Sequence, residues 1–242
     1  MSKKIIFTGQ PIPYRLSSAP SELEIPIPKK SSSHMPDWYN KSERWLGSDK
    51  AEIKNYSANQ GLKHCIPFLD VMTSGYIIEL WTDIQVKRDI NNEAEFTWLS
   101  HPDPLLIRDQ RSGKTIPRPA GHDEMHYGWI SPFAIKVPKG YSVLLTHPAN
   151  RFDLPFTTLS GIMDSDSYYP SGTIPFFLRS DFEGIIKTGT PIAQLFPYKR
   201  ESWVSEKGNK ELQKEIQQMA YDTQRSLGGL YKSLHWTRKS HE

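Results

Sequence analysis

The chain has 242 residues, enough for one large domain or for one domain with appendages. Its net charge is only +3 and its 30 Lys and Arg are spread along the sequence, which argues against a nucleic-acid-binding surface. One cysteine and no long apolar run exclude an internal disulfide, a cysteine-based zinc site and a membrane-spanning helix.

The N-terminal quarter of the chain is rich in Pro, Ser and Lys, with six prolines between Pro11 and Pro36. This composition predicts an extended arm over residues 1–62, because proline disfavours both helix and buried strand. Trp38 and Trp45 lie within this polar segment. They either pack on the core of their own chain or anchor the arm on a neighbouring subunit.

The central region, residues 63–203, reads as a series of short strands and predicts a mainly β core domain. Apolar and polar residues alternate over Gly75–Arg88, as in a half-buried strand. Asp89–Asn92 then predicts a hairpin turn into a strand at Glu95–Leu99. Two further strands, Phe133–Val137 and Tyr141–Thr146, are predicted on either side of a tight turn at Pro138–Gly140.

The last part of this core contains three short apolar runs, Leu159–Met163, Thr173–Leu178 and Ile192–Phe196. Turn-forming Asp, Ser, Pro and Gly separate them, which indicates consecutive short strands. Two carboxylates, Asp164 and Asp166, stand where the first strand gives way to a turn.

Beyond residue 203 the spacing of apolar residues becomes helical. Leu212, Ile216, Met219, Thr223 and Leu227 repeat at intervals of three or four, and Gly228 and Gly229 are expected to end the helix. Residues 204–242 are therefore predicted to form an amphipathic helix followed by a basic tail. Its apolar stripe would cover the chain's own core or a sister subunit.

Two motifs carry a resemblance to a known superfamily. Gly161–Asp166 reads GIMDSD, and Gly189–Phe196, which begins 25 positions after Asp164, reads GTPIAQLF. Their order and spacing resemble the dUTPase and dCTP-deaminase superfamily of trimeric β-clip nucleotide enzymes. The resemblance covers about 45 of the 242 residues.

This resemblance implies a dUTPase-like β-clip or barrel core and a homotrimer. It makes Asp164 the candidate general base, with Asp166 as the second catalytic carboxylate and Mg²⁺ bound with the phosphates of a nucleotide. It also makes Tyr168, Gln194 and Arg151 candidate ligand-binding residues. The alternative is an Asp-rich turn whose side chains accept hydrogen bonds from nearby backbone amides.

The chain departs from the superfamily at the residues that perform the chemistry. Ser167 separates the carboxylates from the expected tyrosine, and no Arg-Ser-Ser phosphate motif stands between Arg151 and Thr158. Phe176 and Phe177 occupy the strand on which the deaminases carry a catalytic glutamate. The motifs therefore indicate a retained scaffold more strongly than a retained activity.

The whole chain also resembles a protein family of unknown function found largely in tailed bacteriophages. The elements that carry this resemblance are Pro36–Trp38, Lys63–Phe68, Gly140–Ser142 and Gly189–Trp203. It implies a phage-type protein that acts in the host cytoplasm or in the virion.

A set of histidines suggests a different class of protein. His122, Glu124 and His126 alternate, so in a strand they would share one face, and His147 ends a later predicted strand. Two histidines and a carboxylate suit Fe²⁺ or Zn²⁺, as in cupin-like metalloenzymes. The glycines on either side of the segment, however, predict a loop.

The leading hypothesis is an oligomeric, phage-type binding or structural protein that keeps a dUTPase-like scaffold without catalysis. Its partners are expected to be copies of itself and other phage proteins, with no membrane and no nucleic acid. The alternatives are a deoxynucleotide diphosphohydrolase that uses Mg²⁺ and a cupin-like metalloenzyme that uses Fe²⁺ or Zn²⁺.

Overall fold

A computed structural model of the chain describes residues 3–9, 27–46, 60–99, 103–108, 110–170, 172–225 and 230–241. Much of the predicted arm, residues 10–26 and 47–59, lies outside the described residues, as do Leu227 and the two glycines expected to end the last helix. The protein is mainly β, with 34% strand, 22% helix, several antiparallel sheets and no closed barrel among the described residues.

Fourteen strands are present in the described residues. They are β1 (Ile6–Gly9), β2 (Lys29–Lys30), β3 (Tyr76–Glu79), β4 (Ile84–Arg88), β5 (Ala94–Thr97), β6 (Leu105–Leu106), β7 (His122–Ile130), β8 (Phe133–Lys136), β9 (Tyr141–Thr146), β10 (Phe156–Thr158), β11 (Gly161–Met163), β12 (Thr173–Arg179), β13 (Gly184–Ile186) and β14 (Pro191–Lys199). The α-helices are α1 (Asp37–Lys41), α2 (Ile66–Thr73), α3 (Gln110–Gly113) and α4 (Lys210–Arg225). Shorter helical turns cover Ser31–His34, Leu62–His64 and Tyr231–His235. None of the helices in the described ranges is both long and apolar enough to cross a membrane.

The strands form four antiparallel sheets. The largest has the order β11-β9-β14-β3-β2, and a four-stranded sheet has the order β10-β12-β7-β6. A three-stranded sheet, β13-β4-β5, and the pair β1-β8 complete the set. Sequence neighbours such as β4 and β5 pair directly, whereas most other pairs join strands far apart in the chain.

The hairpin predicted after Arg88 is confirmed, and the strand before it is corrected. β4 pairs with β5, and Asn92 in the connecting turn has φ 62°, the left-handed conformation that Asn tolerates. Gly75–Arg88, predicted as one strand, is two strands in different sheets, because the chain turns between Glu79 and Ile84. Ile78 before the turn and Ile84 after it are both buried in the core, so the alternating apolar positions are buried on both sides of the turn.

One apolar core joins strands from all four sheets. Trp129 of β7 stacks on Phe176 of β12, with ring centroids 3.7 Å apart and planes 8° from parallel, and Phe156 meets both rings edge-on. The Thr158 hydroxyl donates to the Ile192 carbonyl at 2.6 Å and ties the four-stranded sheet to the five-stranded one. This core positions the turns and strand ends that carry the candidate site residues.

The chain divides into two compact units. The first comprises residues 1–34 and 75–200 and contains every sheet. The second comprises residues 35–74 and 201–242, and its described part contains helices, non-helical segments and one isolated β-bridge between Trp45 and Gln60. Within the second unit, Tyr39 stacks on Phe68 and the Trp236 indole donates to Asp70 at 2.9 Å. Helix α4, also in this unit, exposes all of its described side chains.

Candidate functional site

The two carboxylates singled out in the sequence meet a single arginine. Asp164 and Asp166 lie in the turn after β11, and Arg200 follows β14 directly. The Arg200 guanidinium donates to Asp164 Oδ1 at 3.1 Å and to Asp166 at both carboxylate oxygens. The Ser142 hydroxyl adds a bond of 2.6 Å to Asp164, and the Gly140 backbone N–H one of 2.8 Å to Asp166.

The two aspartates differ in exposure. The Asp166 side chain is only 5% exposed, and the hydrogen bonds from Arg200, followed by that from the Gly140 N–H, lower its pKa to about 2. The Asp164 side chain is 63% exposed. The cluster therefore holds Asp166 ionised and joins the turn after β11 to the β8–β9 turn and to the end of β14.

The expected ligand-binding residues have separate environments. Tyr168 is 67% exposed at the surface. The Arg151 guanidinium is paired with Asp153 through two hydrogen bonds of 2.8 and 2.7 Å, so its charge is compensated. Gln194 is 1% exposed within β14.

The buried Gln194 amide is hydrogen-bonded within the protein at both its oxygen and its nitrogen. Its Oε1 accepts the Ala149 N–H at 2.8 Å, and its Nε2 donates to the Ser31 hydroxyl at 3.2 Å. This amide links the loop after β9 to the short helical turn at Ser31–His34. Its hydrogen-bonding groups thus serve the protein's own backbone and side chains.

The segment that contains the first three candidate metal ligands is a strand, β7, and not the loop predicted from its glycines. His122 pairs with Arg179 and His126 pairs with Phe177. Four steps along β7 are therefore matched by two steps along β12, which is a shift in register. This irregularity breaks the simple alternation. His126 is buried, whereas Glu124 is exposed and bonds Lys114 at 3.0 Å.

The histidines make separate hydrogen bonds. His147 Nε2 donates to the Arg151 carbonyl while Nδ1 accepts the Thr158 N–H, and burial lowers the pKa of this ring. His126 Nδ1 donates to the Gly113 carbonyl at 2.7 Å, and His122 Nδ1 donates to the Ala120 carbonyl at 3.0 Å. Across the ranges that the structure describes, no group of three or more His, Cys, Asp or Glu side chains is placed to hold a metal ion.

A buried ion pair between Arg88 and Asp123 was missed by sequence reasoning. Their side chains are 9% and 10% exposed and meet at 2.8 Å. Arg88 also donates to the carbonyls of Phe182, Asn92 and Arg179 at 3.0, 3.2 and 2.6 Å. The only signal in the sequence was an arginine that ends an alternating strand, because its partner lies 35 positions away.

Beside this ion pair lies a cavity of about 490 Å³, which sequence reasoning also missed. Its walls come from the β4–β5 turn, the segment after β6, residues that follow α3 and the first half of β7. Arg108, Lys114 and Arg118 contribute cations, and Glu93, Asp123 and Glu124 contribute carboxylates. Only Glu124 among these had been named as a candidate, and it was named as a metal ligand.

No protein-family model matches the chain, and no curated protein sequence matches it significantly.

Proposed function

We propose that this chain is a non-catalytic, homo-oligomeric binding or structural protein of the phage type, built on a dUTPase-like scaffold. The observation that supports this most directly is the Arg200 cluster. A general base or a metal ligand needs free lone pairs directed at its substrate. Asp164, the candidate general base, is held at Oδ1 by Ser142 and Arg200. Asp166 is nearly fully covered, and both of its oxygens accept hydrogen bonds from Arg200. Its role is to join three chain segments.

The surroundings of the cluster also favour a structural role. A deoxynucleoside triphosphate requires positioned cations and backbone amides before water attacks. Arg151, the cation expected upstream, is bound to Asp153. Arg200 is engaged by Asp164 and Asp166. Neither guanidinium is available to a phosphate without loss of an ion pair.

A direct assay tests the absence of catalysis. Purified protein is incubated with Mg²⁺ and each deoxynucleoside triphosphate, and released pyrophosphate and ammonia are measured. We expect neither product. Turnover above about one per second, abolished by Asp164→Asn, would contradict the proposal and favour the diphosphohydrolase.

The oligomeric part of the proposal is supported by helix α4. Leu212, Ile216 and Met219 form one stripe of this helix and are 45%, 56% and 44% exposed. Such a stripe gains stability when another surface covers it. Light scattering is expected to give a multiple of 27.8 kDa. Ile216→Asp should reduce this mass, Gln217→Asp beside the stripe should not, and a monomeric unaltered protein would contradict the proposal.

A further inference from the structure

The cavity in the first unit is lined by two arginines, Arg108 and Arg118, that form no ion pair with a described residue. Its volume of about 490 Å³ lies within the range of small-molecule sites. Asp123 is already neutralised by the buried Arg88, and Glu124 by Lys114. Glu93 is the one carboxylate of the wall without an ion pair to a described residue.

Arg108 is the best-placed cation. Its Nη2 donates to the Thr173 hydroxyl at 3.2 Å, while its Nε is buried and has no hydrogen-bond partner. Arg108 lines the cavity and forms no ion pair with a described residue, so its positive charge is available to an anion there. An oxyanion is the acceptor that best matches the planar fork of a guanidinium.

The backbone beside Arg108 makes room for this arrangement. Gly128 lies on β7 next to the guanidinium, and a Cβ there would stand 3.0 Å from Thr173 Cβ and 3.5 Å from Arg108 Nη2. A side chain at this position would crowd the contact between Arg108 and Thr173. The absence of a Cβ therefore lets the guanidinium lie close to the strand.

The remaining lining supplies a second cation and an apolar wall. Arg118 is exposed at the cavity and makes no ion pair with the described residues. Ile107, Ala94 and Met125 provide apolar surface between the charged groups. A ligand that combines an oxyanion with a compact apolar body would satisfy both parts of the lining.

We infer that this cavity is a binding site for a small organic oxyanion, a carboxylate or a phosphate ester, held by Arg108 and Arg118 with its apolar body against Ile107 and Met125. The site is separate from the Asp164–Arg200 cluster. It does not depend on the oligomeric state or on the absence of catalysis, and it adds a ligand class to the proposed binding role.

Calorimetric titration with four probes tests this inference. Benzoate and phenyl phosphate carry the anion on an apolar ring, benzamide is the neutral counterpart of benzoate, and inorganic phosphate lacks the ring. We expect benzoate or phenyl phosphate to bind and benzamide not to bind; the stronger of the two anions identifies the preferred oxyanion. Equal binding of benzamide, or no binding by either ring-bearing anion at millimolar concentration, would overturn the site.

Matched variants locate the binding. Arg108→Gln and the exposed Arg118→Gln should each weaken binding roughly tenfold, since each loses a charge-assisted hydrogen bond. Arg111→Gln, an exposed arginine of α3 outside the cavity lining, should leave binding unchanged. Equal losses in all three variants would indicate unspecific ion attraction and refute the site. Repeating the titration with Asp164→Asn separates this binding from any event at the Arg200 cluster.

Discussion

The Arg200 cluster and the cavity beside Arg88 both combine arginines with carboxylates, but in the cluster the charges pair with one another, whereas the cavity keeps arginines that form no ion pair within the described part of the chain. In the cluster, one arginine faces two carboxylates, and nearly every hydrogen-bonding group of Asp166 is engaged. In the cavity, a buried arginine neutralises one carboxylate of the wall, while Arg108 retains an Nε without an acceptor. A carboxylate such as Asp166, with both oxygens bound to an arginine, serves the fold although its motif resembles a catalytic one. An arginine without a counter-charge, by contrast, can still bind an anionic ligand.

The largest expected effect comes from breaking the buried pair that supports the cavity. Asp123→Asn removes the charge that faces Arg88 and leaves an uncompensated guanidinium only 9% exposed. We expect the free energy of unfolding to fall by about 3 kcal/mol. Chemical denaturation is the measurement.

Asp181→Ala is the matched control, because its ion pair with Arg179 is exposed and should contribute little. A loss for Asp123→Asn no larger than that for Asp181→Ala would mean that the buried pair does not support the cavity wall.

A smaller effect is expected at the Arg200 cluster, and it depends on pH. The pKa of Asp166 is lowered to about 2, below an ordinary value near 4, so its ionised form stabilises the fold at neutral pH. This stabilisation is present above about pH 4 and is lost as the pH falls toward 2. Asp166→Asn should therefore be less stable than the unaltered protein at pH 6, and the difference should shrink between pH 4 and 2.

Denaturation at several pH values measures this difference. Arg200→Gln should show the same dependence, because it removes the largest cause of the lowered pKa. Asp37→Asn, at an exposed position of α1, is the control. A difference that stays constant across the acid range would contradict the structural role of the cluster.

The smallest effect concerns the charge balance of the cavity. Glu124 pairs with Lys114 at 3.0 Å, and Glu124→Gln releases that ammonium and removes a negative charge from the wall. Binding of the preferred anionic probe should tighten about threefold, as expected for a solvent-exposed charge. Calorimetric titration measures the change.

Glu95→Gln is the control, since Glu95 is exposed on β5 and does not line the cavity. Weaker binding in Glu124→Gln would show that the exposed pair helps to hold the anion and does not compete with it.

Local patterns predicted the strands well. The hairpin of β4 and β5 follows from an alternating run that ends in turn residues. The strands β8 and β9 follow from apolar runs on either side of a glycine turn, but they lie in different sheets, because β8 pairs with β1 and β9 pairs with β11 and β14. The turn between Glu79 and Ile84 was missed because alternation is the same whether a chain continues in one sheet or enters the next. Periodicity reports which face is buried, and it carries no information on the partner strand.

The candidate sites were harder to predict than the strands. Asp164 and Asp166 are conspicuous in the sequence because they follow an apolar run at a turn. Their role nevertheless depends on Arg200, which lies 34 positions beyond Asp166. Alternation predicts one face for His122, Glu124 and His126, yet His126 is buried and Glu124 is exposed, and the pairing of β7 with β12 is irregular in this stretch. Such a bulge arises from the register of two strands and has no signature in either strand alone.

The sequence by itself determined that this protein is mainly β, where most of its short strands lie and that its last long segment has helical periodicity. These features depend on side-chain alternation and turn chemistry, which act between residues close together in the chain. Only the tertiary structure decided that Arg200 pairs with both Asp164 and Asp166, that Arg88 packs against Asp123 and that Arg108 is left with an unpartnered donor. Charges interact through space, so their partners are chosen by how distant segments pack.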